Sequence, residues 1–430
     1  MFLTALTAIP SEEGCRRGLD DYTNFGGTYT FSTLQDYLIH RPFSLVQQQG
    51  EGHLFFWEKV VGGFVLDEFR VRPNLQVAAG VRYDWQNYFH DNNNFSPRLS
   101  LAYAPGKKRN TVIRGGFGLF YDRTGPLPIF DLLRYDGLRL LKYVITDPSF
   151  PYVPVPGTFQ PSSVARLDPT VKIPATLQYG LGVERQLAKS TTLSINYSGL
   201  RGMNLFRSRD VNAPLPPLYA SRPNLAYSQI RQIESSADLE SHSLEITLRG
   251  NITRFFSGMV QYVLARSYDN VGGTRTINTF PANNWDLSGE WARSDYDMRH
   301  RFNLLGNITP GKRLNVGMAL SLNTGTPYTM TTGLDGNHDG LANDRPFGVP
   351  RNSLQGPGYA DVDLRLSRDF FLAALRKEKG PTITAGIDAF NVFNRVNYSG
   401  YVGNLSSPFF GKPVAAQPSR RLQLSMRFRF

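Results

Sequence analysis

One cysteine, Cys15, occurs in 430 residues. A disulfide framework and a cysteine-based metal site are therefore both excluded. No run of about 18 apolar residues occurs, which excludes a protein that crosses a membrane with helices. A membrane β-barrel survives that absence, because only alternate residues of its strands meet lipid. The N-terminus, MFLTALTAIPSEEGCRRG, lacks a basic n-region and a full apolar h-region and does not read as a secretory signal. Signatures of catalysis are missing as well. His40, His53, His90, His242, His300 and His338 show no HExxH pairing, and no G-x-S-x-G elbow exists. Gly115-Gly116-Phe117-Gly118 lacks the strand–helix context of a nucleotide loop. A membrane phospholipase would need one Ser and one His on a barrel's outer face, and nothing selects a serine. The expectation is no enzyme.

What is abundant is aromatic residues (13%), glycine (40) and proline (28). Many short strands joined by Gly- and Pro-marked turns produce that profile. The net charge of +12 and pI near 9.7 raise nucleic acid as a partner. The basic residues, however, are scattered singly through strand-like segments. Their short clusters, Lys107-Lys108-Arg109, Lys312-Arg313 and Arg376 to Lys379, each fall at an expected turn. The reading is no nucleic acid, with an arginine-rich lumen or basic turns accounting for the charge.

The segment KRLNVGMALSLN (Lys312 to Asn323) puts Leu314, Val316, Met318, Leu320 and Leu322 on one strand face. Asn315, Gly317, Ala319, Ser321 and Asn323 fall on the other, as lipid outside and a wet lumen inside require. A soluble sandwich strand alternates in the same way, so the recurrence matters more. Leu99, Leu101 and Tyr103 alternate with Arg98, Ser100 and Ala102. Ile113, Phe117, Leu119 and Tyr121 lie across from Arg114, Gly116 and Gly118. Leu177, Tyr179, Leu181 and Val183 oppose Gln178, Gly180, Gly182 and Glu184. Leu193, Ile195 and Tyr197 continue the row, as do Leu244, Ile246 and Leu248, and then Val362, Leu364 and Leu366.

Short turns are expected at Arg72-Pro73-Asn74, Ala104 to Asn110, Ala188-Lys189-Ser190, Gly250-Asn251, Pro310-Gly311 and near Lys377 to Pro381. Between them lie long polar stretches: Asn87 to Phe95, Asp122 to Val171, Phe206 to Ser241, Tyr268 to Ser288, Tyr328 to Pro357 and Asn397 to Ser419. Outer-membrane barrels alternate in this way, with tight periplasmic turns and long extracellular loops. A soluble sandwich has no reason to. The fold class expected is all-β: a partial transmembrane antiparallel barrel of about 14 strands. Residues 1–52 form a leading segment with a first strand and an extracellular loop, and 53–430 the C-terminal part of the barrel. Trp85, Tyr88, Phe89, Phe255, Phe256, Tyr262, Tyr268 and Tyr328 are expected in interfacial girdles near strand ends. Phe130 to Tyr143 has roughly helical spacing, consistent with a short helix in the longest loop.

The chain ends RRLQLSMRFRF, with Leu422, Leu424, Met426, Phe428 and Phe430 alternating up to a terminal aromatic. This resembles the C-terminal signature by which outer-membrane barrels are recognised for assembly. DAFNVFNRVNY (Asp388 to Tyr398) resembles the strand and turn shortly before the end of TonB-dependent receptors. FSPRLSLAYAPGKKRNTVIRGGFGLFYDR (Phe95 to Arg123) resembles a hairpin of their Oar-like subgroup, whose complete members often carry a carboxypeptidase-regulatory-like N-terminal domain. FGGTYTFSTLQDYLIHRPFS (Phe25 to Ser44) fits the same subgroup. The resemblance implies a transporter or receptor for a bulky nutrient, with a passive porin or a surface-anchored adhesive barrel as alternatives. It implies as partners outer-membrane lipid, the assembly machinery through the Phe430 strand, and the TonB complex through an N-terminal part. Complete receptors have about 22 strands closed by a plug. Neither a plug nor a TonB box has a counterpart here, so a fragment lacking the plug is expected.

Asp335-Gly336-Asn337-His338-Asp339-Gly340-Leu341-Ala342-Asn343-Asp344 spaces oxygen donors like the start of a calcium loop. Asp335, Asn337 and Asp339 supply side-chain oxygens and Leu341 a carbonyl. Pro346 stands where the bidentate Glu belongs, so Asn343 or Asp344 has to complete the shell. The alternative is an Asx-rich turn that binds nothing, its carboxylates neutralised by Arg345.

Overall fold

The structure is a computed structural model that describes residues 4–5, 13–125, 127–151, 162–271, 279–311, 314–371 and 381–429. Among them run 14 wall strands in an antiparallel meander. They are β1 (Glu13–Asp20), β2 (His53–Arg72), β3 (Leu75–Gln86), β4 (Phe95–Tyr103), β5 (Thr111–Tyr121), β6 (Ala175–Ala188), β7 (Thr191–Asp210), β8 (Tyr227–Asn251), β9 (Phe256–Asp269), β10 (His300–Gly311), β11 (Leu314–Asn323), β12 (Tyr359–Phe371), β13 (Thr382–Phe390) and β14 (Arg421–Arg429). Each pairs with its sequence neighbours, and no pairing joins β14 to β1 among the described residues. Six shorter strands complete one sheet of 20.

The pairing registers turn the alternating rows into one surface. Leu99 lies opposite Phe117, Phe117 opposite Tyr179, and Val183 opposite both Ile113 and Ile195. Ile195 then faces Ile246, Ile246 faces Tyr262, and Tyr262 faces Phe302. Leu320, Val362, Leu366, Ile387 and Leu424 extend the row to the last strand. Many of these side chains are exposed, so one face of the sheet is a continuous apolar band. The opposite face carries Ser100, Gly116, Gly180, Ser198 and Ser243 in one cross-strand line, and Ser321, Asp361, Arg365 and Asp388 in others. A one-residue slip in any strand would exchange the two faces, so the alternation itself selects the register.

Short and long connections alternate as expected, but several limits move. The turn placed at Gly250-Asn251 falls two residues later, because both residues are still paired with β9. Gly250 sits at φ +127, and a Cβ there would come 1.8 Å from the Ser190 carbonyl oxygen. The glycine serves a close strand approach, and Thr253 Oγ1 caps the turn by accepting from Phe256 N at 3.0 Å. Pro310 and Gly311, expected as a turn, still belong to β10, with Gly311 paired to Leu314, and the turn expected near Lys377 to Pro381 lies, apart from Pro381, outside the described residues, as does Phe430.

A larger correction concerns Phe206 to Ser241, read as loop. Strands β7 and β8 run 20 and 25 residues, about twice what a tilted crossing needs. They continue paired through Asp210 and Arg231. The signal was hidden because part of the partner is remote: Ser162–Leu167 runs parallel to the start of β8. The segment Phe130 to Tyr143 is not one helix. The helix spans Leu127–Arg134, Gly137 then turns the chain at φ +82, and Leu140–Thr146 pairs as a strand with Ser44–Gly50. Phe89 is no girdle residue either. It is 4% exposed, in a core with Leu54, Phe56, Ile129, Phe130, Val171 and Ile173. Phe130 meets Phe56 edge-on at 4.8 Å, so the longest loop folds back over the non-lipid face of β2. Burying Ile129 and Phe130 contributes roughly 2 kcal/mol each.

Candidate functional site

All the long connections lie at one end of the meander, together with the projecting parts of β7 and β8. Chain leaving a sheet there must satisfy its polar groups without a ladder, and it does so with arginine–carboxylate pairs. Arg134 bridges Asp21 (2.6 Å) and Asp131, which also meets Arg231 at 3.0 Å. Lys142 lies within this group and is lowered to about 8 by burial and by the neighbouring Arg231. Arg209 holds Glu234 at 2.9 Å, Arg222 holds Asp210 at 2.7 Å, and Arg293 holds Asp297 at 2.7 Å. Arg351 ties Asp269 to Asp295, and Arg345 ties the 324–358 loop to Glu290 at 2.6 Å. None of these residues carried a sequence motif. Their common signal was only an excess of arginine in long polar connections.

The Asp335 to Asp344 loop packs into this assembly. Asp335 accepts from Asp339 N (3.0 Å) and Gly340 N (2.9 Å), with Gly340 at φ +98. Asn337 Oδ1 also accepts from Asp339 N at 3.0 Å. Asp339, 1% exposed, accepts from Leu341 N and from Asn284 Nδ2, both at 2.9 Å. Asp344 accepts from Gly336 N at 2.6 Å and from Asn337 Nδ2 at 2.8 Å. Asn343 turns away and donates to Phe280 O at 3.3 Å. No group of three or more His, Cys, Asp or Glu is placed to hold a metal among the described residues. The carboxylates are nevertheless in tension. Burial, then Asp335, then Asp344 and Asp210 push Asp339 up to about 8, and burial raises Asp335 and Asp344. Arg345, the expected neutraliser, donates to Glu290 at 2.6 Å and lowers only Asp344 among the three, as the last-named of its influences.

Beside that loop a cleft of about 280 Å³ opens between β7 and the 270–299 and 324–358 connections. Arg207, Arg345 and Arg351 line it with Glu290, Asp295 and Asn343. Sequence reading missed this cleft, because its residues come from three separate parts of the chain.

The sequence matches the family described as outer membrane beta barrel domain over residues 16–94, 88–349 and 343–423. No curated protein sequence matches it. Among solved structures it is similar to the outer membrane transporter YddB from Escherichia coli, with TM-score 0.61 and 13% identity over 90% of this chain and 50% of that one. It is also similar to the ferric enterobactin receptor of Pseudomonas aeruginosa (TM-score 0.55, 14% identity, 96% and 52%). The ferripyoverdine receptor of the same organism's outer membrane gives TM-score 0.51 at 13% identity, with 90% and 39% covered. The chain spans about half the length, or less, of the structures it matches.

Proposed function

From the premise that the chain belongs to the outer membrane β-barrel domain family, we propose that it is the C-terminal barrel portion of a TonB-dependent receptor that imports a bulky nutrient. The protein lies in the outer membrane, its apolar band toward lipid. The observation that carries the import reading is the elaborated long-loop end, folded partly back over the inner face and stocked with buried ion pairs. A simple pore needs no such assembly, whereas specificity for a ligand is built from loops held on a rigid scaffold. Energy coupling would come through an N-terminal plug engaging TonB, and insertion through the strand ending at Phe430. Reading the coding DNA upstream of Met1 tests this. A plug domain in frame supports import, and a signal peptide immediately upstream makes the chain a passive porin or surface barrel.

For the Asp335 to Asp344 loop we propose a calcium ion held by Asp335, Asn337, Asp339 and the Leu341 carbonyl, with Asp344 or Asn343 completing the shell. The buried Asp339 supports this: no arginine pairs with its carboxylate among the described residues, and a bound cation would offset the burial and the repulsion from Asp335 that raise its pKa. Extracellular sites are typically weak, about 10⁻⁴ to 10⁻³ M, which suits a role in ordering a loop. Calorimetric titration of the folded chain with CaCl₂ should show binding that Asp339→Ala abolishes. A flat trace for the parent chain up to roughly 10 mM, well past that range, makes the loop a turn only.

A further inference from the structure

A cleft of about 500 Å³ is floored by side chains of the lipid face of the wall, not of the lumen. Tyr262, Phe302 and Leu322, which form that floor, are neighbours across β9, β10 and β11 in the apolar row. His300, which also lines the cleft, opens β10, and Leu322 is the last residue but one of β11. These strands run 12 and 10 residues from the short turn between them, about the length of one tilted crossing. The cleft therefore sits at the long-loop end, where the wall leaves the hydrocarbon. Gly325 and Gly356, from the two ends of the 324–358 connection, line it as well. A Cβ on Gly325 would come 2.0 Å from the Gly356 carbonyl oxygen, so the two segments meet backbone to backbone beside the opening.

Arg293, Arg299 and His300 line the cleft, and no carboxylate does among the described residues. Arg293 is occupied, by Asp297 at 2.7 Å and by Gln355 at 2.6 Å. Arg299 has no ion pair among the described residues, unlike Arg209, Arg222, Arg345 and Arg351 at the same end of the sheet. His300 meets the Tyr262 hydroxyl through Nδ1 at 2.8 Å, which leaves Nε2 for a further partner. Farther along β9, the Arg266 guanidinium lies 4.5 Å over the Tyr268 ring, and Tyr268 is 6.5 Å from the exposed Trp291. Aromatic rings of this kind mark the level of lipid headgroups.

Two chemistries thus meet in one opening. The floor continues the band that faces hydrocarbon, so it accepts an acyl chain. The unanswered charge of Arg299 stands at headgroup level, where guanidinium donors match phosphate oxygens in pairs. A soluble anion would satisfy Arg299 and leave the apolar floor bare, and an uncharged lipid would do the reverse. Basic pockets beside membrane-spanning segments select anionic headgroups on the same grounds.

We infer that this cleft holds a lipid of the outer leaflet whose headgroup carries phosphate, with Arg299 and His300 on the phosphate and Phe302 and Leu322 under an acyl chain. The inference rests on the apolar band facing lipid and not on import. A porin-type result upstream of Met1 leaves it standing.

The test uses the full chain folded in detergent micelles and native mass spectrometry to count bound lipid. Dioleoyl phosphatidic acid should bind at least about ten-fold more tightly than dioleoyl phosphatidylcholine, which has the same chains and no net charge, a difference of roughly 1.4 kcal/mol. Inorganic phosphate at roughly 10 mM should not displace the phosphatidic acid. Arg299→Gln should weaken phosphatidic acid by about ten-fold. Arg254→Gln, exposed in the turn at the other end of β9, should leave its affinity unchanged. His300→Ala should also weaken binding, and it decides the matter if Arg299→Gln fails to give the parent far-UV circular dichroism spectrum. A smaller preference between the two lipids, or equal weakening by Arg254→Gln and Arg299→Gln, would overturn the assignment. So would unchanged affinity in a folded Arg299→Gln. Displacement by inorganic phosphate would make the cleft a site for a free anion and overturn the lipid.

Discussion

Ile195 is the most informative place to perturb the wall. It stands mid-strand in β7 with Val183 and Ile246 beside it on the apolar face, and it is exposed. Its neighbour Asn196 points to the other face, between Gly182 and Glu245. Arginine on the lipid face near the bilayer midplane costs about 2–4 kcal/mol, whereas Asn196→Arg places the same charge in a wet lumen beside a glutamate. The expected gap corresponds to roughly a 30- to 900-fold difference in the folding equilibrium. Urea titration of the two variants folded into lipid vesicles measures it directly. If Ile195→Arg and Asn196→Arg cost the same to within about 0.5 kcal/mol, the resolution expected of surface changes, the apolar band does not face lipid.

The wall was readable because strand periodicity and membrane exposure reinforce each other. Each of Leu99, Tyr179, Ile195, Leu366 and Leu424 announces its face, and a single register satisfies all of them at once. The long-loop end was not readable for the opposite reason. Ser162–Leu167 joins β8 from about 65 residues away, and Arg351 reaches back to Asp269, 82 positions earlier. Such contacts leave no periodic trace. The Asp335 loop was an intermediate case. Its Asx pattern was legible and its local N–H acceptors follow from it. The packing of Asn284 and Ala282 against it was not, nor was the pairing of Arg345 with Glu290.

Gly250→Ala should destabilise the β8–β9 hairpin by about 1–3 kcal/mol, the usual cost of a strained backbone, because both the φ and the Ser190 carbonyl reject a Cβ; a shift below about 0.5 kcal/mol in the same urea titration refutes this. The calcium-free 324–358 loop should loosen as pH rises. Asp339 is raised from an ordinary value near 3.8 to about 8, so the folded loop holds a proton the unfolded chain has released, and stability falls across that window. Amide exchange at Asn337 to Leu341 should quicken between pH 5 and 8, and calcium should suppress the increase; exchange independent of both, once corrected for intrinsic rates, counts against an ionisable Asp339 here.

The central claim, a barrel wall with its long connections outside the cell, is tested most directly by labelling. With Cys15→Ser as background, Phe347→Cys places a thiol at a fully exposed position in the 324–358 loop, and Lys108→Cys places one in the short turn between β4 and β5. A membrane-impermeant maleimide applied to intact cells should label Phe347→Cys at once and Lys108→Cys only after the outer membrane is opened. Equal labelling of the two before opening, or the reverse order, contradicts the topology.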